Sequence, residues 1–161
     1  MAVLRSLLLV HDEPDAFRSL QETLCQLGIR IWHAHDCAEA RRILENRKPI
    51  DLVFTDAALP DGTWKDAIRL ANELAGAAPV IVMSRFVNVP LYLDTQDSGA
   101  ADFIVPPISA RDLEYVLTVA MSRTIRRVWA PARHREAGRP VRGLSRDSSI
   151  AHTVVEQSPC D

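Results

Sequence analysis

Five short apolar runs, Leu7–Val10, Ile29–Ala34, Leu52–Thr55, Pro79–Met83 and Phe103–Val105, recur along the chain, and a segment with helical signals follows each. Strands separated by helices cannot close as tight hairpins, so this alternation requires parallel pairing. A parallel sheet must be covered on both faces, which agrees with strands that are apolar throughout. Right-handed crossovers and 161 residues leave one leading arrangement. It is a doubly wound α/β fold, (βα)5 in three layers, with a five-stranded parallel sheet of order 2-1-3-4-5.

The intervening segments carry their own punctuation. Glu13-Pro14-Asp15 opens a first helix, Phe17, Leu20, Leu24 and Leu27 form its inward face, and Gly28 ends it. Asp36 and Glu39 stand at capping-box spacing before a helix that buries Ala40, Ile43 and Leu44, and Lys48-Pro49 stops it. Thr63 and Asp66 cap a third helix with Trp64, Ala67, Ile68, Ala71 and Leu74 inward. The fourth helix, between Asn88-Val-Pro90 and Gly99, has no coherent apolar face. Ser109 and Asp112 cap the last, along which Leu113, Val116, Leu117, Ala120, Met121 and Ile125 keep the helical period.

Two of the strands end in acids, Leu7–Val10 in His11-Asp12 and Leu52–Thr55 in Asp56. Strands one and three are neighbours in the expected order, so Asp12 and Asp56 meet at the switch point on the carboxyl rim, with Ser84 arriving from strand four. Two carboxylates and a hydroxyl suit a hard divalent cation such as Mg²⁺ and a phosphoryl group. Asp56 is also a candidate nucleophile that takes the phosphoryl group as an acyl phosphate. His11 could turn the set into a His-Asp-Asp site for a transition metal.

Charge divides the chain. Residues 126–161 hold seven arginines against four acids, and with a net charge of −2 overall the first 125 residues carry a surplus of five negative charges. The expected organisation is a folded domain over 1–125 and a basic, disordered tail over 126–161, rich in Arg, Pro and Gly. That tail is too short for a helix-turn-helix output domain and reads as a solvated segment, so nucleic acid is not the expected partner. No apolar run approaches the roughly 18 residues of a membrane span, and Met1-Ala-Val-Leu-Arg5 has no secretory pattern, so a cytoplasmic protein is expected. Cys25, Cys37 and Cys160 are odd in number and widely spaced, which suggests neither disulfides nor zinc.

The His11-Asp12-Glu13-Pro14 junction, Asp56 with the Leu59-Pro60-Asp61-Gly62 turn, Pro79–Ser84, and Gly99–Pro107 together resemble the receiver domain of bacterial two-component response regulators over residues 5 to about 125. The resemblance implies a flavodoxin-like fold and a non-enzymatic signalling role. It makes Asp56 the phosphoacceptor, Asp12 and the backbone carbonyl of Ala58 further magnesium ligands, Ser84 the hydroxyl that senses the phosphoryl group, and Phe103 the aromatic switch. The implied partners are a histidine kinase or phosphotransfer protein and a downstream protein met through the helix 4, strand 5 and helix 5 face; pairing of two copies through that face stays open.

Two departures weaken the site the resemblance implies. His11 stands where the family has an acid, which takes a negative charge from the metal site. Pro106 stands where the family has a lysine, which removes a cation typically worth a few kcal/mol to phosphoryl transfer. Arg85, beside Ser84, is a substitute cation or an obstruction, and Pro106-Pro107 is a candidate cis peptide. A phosphorylation-independent pseudo-receiver acting as a protein-binding module is therefore the alternative. A small enzyme or nucleotide binder of this fold would need a Gly-rich phosphate loop after strand one, which the sequence lacks.

Overall fold

A computed structural model describes residues 4–46 and 49–129 of the chain. The expected tail from residue 130, Cys160, Lys48 and the side chains of Pro14 and Ile125 lie outside the described residues. Strands β1 (Ser6–Val10), β2 (Arg30–Ala34), β3 (Leu52–Asp56), β4 (Val80–Met83) and β5 (Asp102–Ile104) form one sheet in the order β2-β1-β3-β4-β5. Every neighbouring pair is parallel, as the apolar runs require. The helices are α1 (Arg18–Gln26), α2 (Cys37–Glu45), α3 (Trp64–Leu74), α4 (Val89–Asp97) and α5 (Ala110–Trp129).

Side chains alternate across a strand, so the sheet builds two cores. Leu7, Leu9, Phe54, Ile81 and Met83 face Phe17, Leu20 and Leu24 beneath α1 and Leu113, Leu117 and Ala120 of α5. Leu8, Val10, Val53, Val80 and Val82 face Ala40 and Leu44 of α2 and Trp64, Ile68 and Ala71 of α3. Each fully buried leucine in these layers contributes about 2 kcal/mol by removal from water. That apolar packing fixes the strand ends where the site is built.

Helix punctuation follows the sequence in most places. Asp36 accepts a 2.7 Å bond from the Glu39 N–H at the start of α2, and Thr63 with Asp66 forms a complete capping box on α3. Gly28 at φ +73° and Gly99 at φ +89° end α1 and α4 in Schellman turns, where a left-handed residue lets the last carbonyls find donors.

Strand ends shift by one residue, with Ser6 and Asp56 joining β1 and β3 and Ile29 and Pro79 left out, and four further details differ from expectation. Pro14–Phe17 is a 3-10 turn, so the α-helix begins only at Arg18. Leu27 lies past the last helical turn and is exposed, because α1 stops at Gln26 before that residue can turn inward. β5 takes Asp102 and leaves Val105 out. α5 continues to Trp129, so its backbone crosses the expected boundary at 125. α4 behaves as its sequence suggests, with Thr95 its single buried residue.

Candidate functional site

Register places the site. Val10 pairs with Thr55 and Asp56 pairs with Met83, so Asp56 ends β3 between His11 on one side and Ser84 on the other, with Asp12 one residue further out. The sheet thus brings Asp12, Asp56 and Ser84 to one rim. Ala58 follows on a two-stranded antiparallel ribbon in which Ala58–Leu59 pairs with Gly62–Thr63. The ribbon holds the backbone beyond Asp56 in place. Gly62 is forced there by space, since a Cβ would fall 2.8 Å from Asp66 Oδ2 and 3.0 Å from Cys37 Sγ.

Asp56 is buried, 8% exposed, and burial raises its proton affinity above the ordinary carboxylate value. The backbone N–H groups of Ala57 and Ala58 and the charge of Arg85 act in the opposite direction, while Glu13 adds to the rise. A carboxylate held where its charge is poorly solvated gains from any cation or proton that approaches it. Asp12 is exposed, and its carboxylate makes no ion pair among the described residues.

His11 does not join the acids. It has the strand parity of Leu7 and Leu9, which turns its ring, 2% exposed, into the α1 side of the core. There it meets Phe17 edge-on at 5.5 Å and His33 at 6.1 Å, and its Nε2 lies 3.1 Å from Gln21 Nε2. Burial and the neighbouring His33 lower its proton affinity. The His-Asp-Asp metal set therefore lacks its histidine. Among the described residues no group of three or more His, Cys, Asp or Glu side chains is gathered to hold a metal ion. What the rim offers is a set of oxygen donors, the carboxylates of Asp12 and Asp56 and the Ala58 carbonyl, which suits a hard cation that keeps most of its waters.

Ser84 is buried at the end of β4, and its hydroxyl serves its own loop, donating to the Phe86 carbonyl at 2.9 Å and accepting the Phe86 N–H at 3.3 Å. Arg85 projects to the surface and pairs with Glu13, Nη1 to Oε2 at 2.6 Å. Glu13 was legible in the sequence only as a helix opener. Its partnership rests on two loops 72 residues apart being brought together, which no local signal announces. Pro106-Pro107 is a cis peptide. Phe103 is half-buried and packs edge-on to Tyr92 at 6.0 Å beside a cleft of about 290 Å³ that Val87, Asn88, Val89 and Val105 also line. Phe86, Val87, Val89, Tyr92 and Leu93 form an exposed apolar surface next to it.

Comparison with known proteins agrees with this architecture. Residues 7–118 match the response regulator receiver domain. Response regulator protein PilR of Pseudomonas aeruginosa is 31% identical over 94% of this chain, which spans 34% of that protein. Transcriptional regulatory protein PdtaR of Mycobacterium tuberculosis is 35% identical over 76% of this chain and 59% of its own length. The chain thus spans about a third to three fifths of these relatives. Among solved structures, the receiver domain of a Pseudomonas aeruginosa sensor histidine kinase, described with a magnesium ion in its active site cleft, aligns with TM-score 0.63 at 23% identity over 74% of this chain and 99% of its own. No helix among the described residues is long and apolar enough to cross a membrane. Five parallel strands in the order read from the sequence, an acid at the switch point and a match over most of the chain lead to one conclusion: this protein belongs to the response regulator receiver family of two-component signalling.

Proposed function

We propose that Asp56 accepts a phosphoryl group from a histidine kinase or phosphotransfer protein and that the phosphorylated chain signals by protein contacts. The observation that carries this reading is a buried carboxyl of raised proton affinity at the end of β3, with an exposed carboxylate, a hydroxyl and an arginine on the flanking loops. In the reaction a carboxylate oxygen of Asp56 bonds to phosphorus, the phosphorus–nitrogen bond of a phosphohistidine breaks, and the departing imidazole nitrogen takes up a proton.

Asp12, Asp56 and the Ala58 carbonyl would hold Mg²⁺, and when bound the ion offsets charge on the phosphoryl oxygens. His11, buried against Phe17, contributes no ligand, so this site has one carboxylate fewer than the family pattern and should bind the ion weakly. Arg85 is the cation whose charge reaches Asp56 and is our candidate for the work of the missing lysine. Output runs through the surface of α4, β5 and α5, where Phe103, Tyr92 and the exposed Phe86, Val87, Val89 and Leu93 offer apolar contact to a protein partner.

The alternative, a module that binds its partner without phosphorylation, is favoured by two observations: Arg85 is already occupied by Glu13, and the apolar surface is exposed in the unphosphorylated chain. Intact mass after incubation with a small phosphodonor decides between the two. One phosphoryl group added to the native chain in Mg²⁺, and none in chelator or on Asp56→Asn, supports the acceptor; no adduct under any of these conditions supports the binding module.

A further inference from the structure

Glu13 and Arg85 lie on the loops that follow β1 and β4, and in the sheet order β3 runs between those two strands. An ion pair that joins the two loops must span the end of β3, where Asp56 sits 8% exposed. We propose that Glu13 is a positioning residue which holds Arg85 across the mouth above Asp56, and that a phosphoryl group on Asp56 displaces Glu13 as the counter-ion of Arg85. This rests on the reading of Asp56 as acceptor.

The competition is decided by charge and geometry. The two side chains are 50% and 58% exposed, so their pairing is screened by water and salt. A phosphoryl group brings close to two negative charges and three strong acceptor oxygens, and a guanidinium meets such oxygens in bidentate fashion. Arg85 therefore has a better partner available on the product side of the reaction than Glu13. The exchange has a second effect. Arg85 lies between Ser84 and the exposed Phe86 and Val87, so a change of its partner moves the loop that presents those apolar side chains.

Two measurements on the full chain test this. The first needs no phosphorylation. In an Asp56→Cys background, iodoacetamide modification at position 56, followed by peptide mass spectrometry, should be about two- to five-fold faster when Glu13→Gln is added, the factor an exposed ion pair is worth. That ratio should fall toward one in molar salt, as a purely structural role for Glu13 would not make it do. Equal rates at low salt overturn the closed mouth. The second is a double-mutant cycle on phosphorylation by a small phosphodonor with Glu13→Gln, Arg85→Gln and the pair. Glu13→Gln should accelerate phosphorylation and Arg85→Gln slow it, and the acceleration by Glu13→Gln should shrink to the small direct effect of its charge on Asp56 once Arg85 is gone. Independent, multiplying effects overturn the exchange. If the native chain takes up no phosphoryl group at all, the acceptor reading fails and the exchange fails with it, while the alkylation rates still decide whether Glu13 holds Arg85 over the site.

Discussion

The chemistry of the rim turns on single side chains whose surroundings oppose their charge. Asp56 holds its proton more tightly in the fold than in the open chain because burial penalises the carboxylate. Its folded proton affinity is raised, so the stabilising contribution is present at low pH and is lost as pH rises through the folded value; at neutral pH the ionised group destabilises the chain. Asp56→Asn should therefore raise Tm at pH 7.5 in chelator, with a smaller gain at pH 4.5, and a lower Tm at neutral pH would contradict this. Cys37 is a second case. Burial and the charge of Asp61, Asp66 and Asp36 push its thiol up to about 12, which leaves a thiolate fraction on the order of 10⁻⁴ at pH 8. Cys25 is exposed, so iodoacetamide at pH 8 should label it at least about ten-fold faster than Cys37, with peptide mapping as the readout. Asp12, Asp56 and Ser84 were legible because each ends an apolar strand. The inward turn of His11 was legible too, from its parity with Leu7 and Leu9, but a residue beside an acid invites a chemical reading first. The Glu13–Arg85 pair was not legible, since pairing across 72 residues depends on the assembled sheet.

Elements were legible where the local code is strong and not where tertiary contact decides. The capping pairs of α2 and α3 and the glycine ends of α1 and α4 appear as written, whereas β5 ends before Val105 and α5 runs past its last periodic residue. Backbone conformation gives a paired prediction. Gly28 is left-handed with open space around its absent Cβ, so Gly28→Ala should cost about 1 kcal/mol from conformation alone. Ala77 adopts φ +61° without being glycine, so Ala77→Gly should not lower stability, because relief of the left-handed strain offsets the added freedom of the unfolded chain. Thermal denaturation of both variants checks the asymmetry, and equal losses would contradict it. α4 is the least anchored helix, held by the buried Thr95 and by an ion pair of Asp94 with Lys65 at 2.9 Å on α3. Its amides should exchange with solvent faster than those of α1 and of the first three turns of α5, and comparable protection would show that α4 is not the loose element of the output face.

At the scale of the molecule, two apolar layers and an all-parallel sheet hold one rim in place, where Asp12, Asp56 and Ser84 gather. The order 2-1-3-4-5 was legible because alternation and handedness leave few other ways to wind the chain. How the charge of Arg85 comes to bear on Asp56 was not legible, because that approach depends on a loop from another strand. Arg85, whose charge reaches Asp56 from the loop after β4, is our proposed substitute for the lysine that Pro106 replaces. The central claim is that Asp56 carries the phosphoryl group despite that change, and chemical trapping tests it most directly. After incubation with a small phosphodonor and Mg²⁺, borohydride reduces an acyl phosphate to an alcohol, so tandem mass spectrometry should find homoserine at position 56 and aspartate at position 12. Aspartate at position 56, in a chain shown to have been exposed to active donor, would contradict the account.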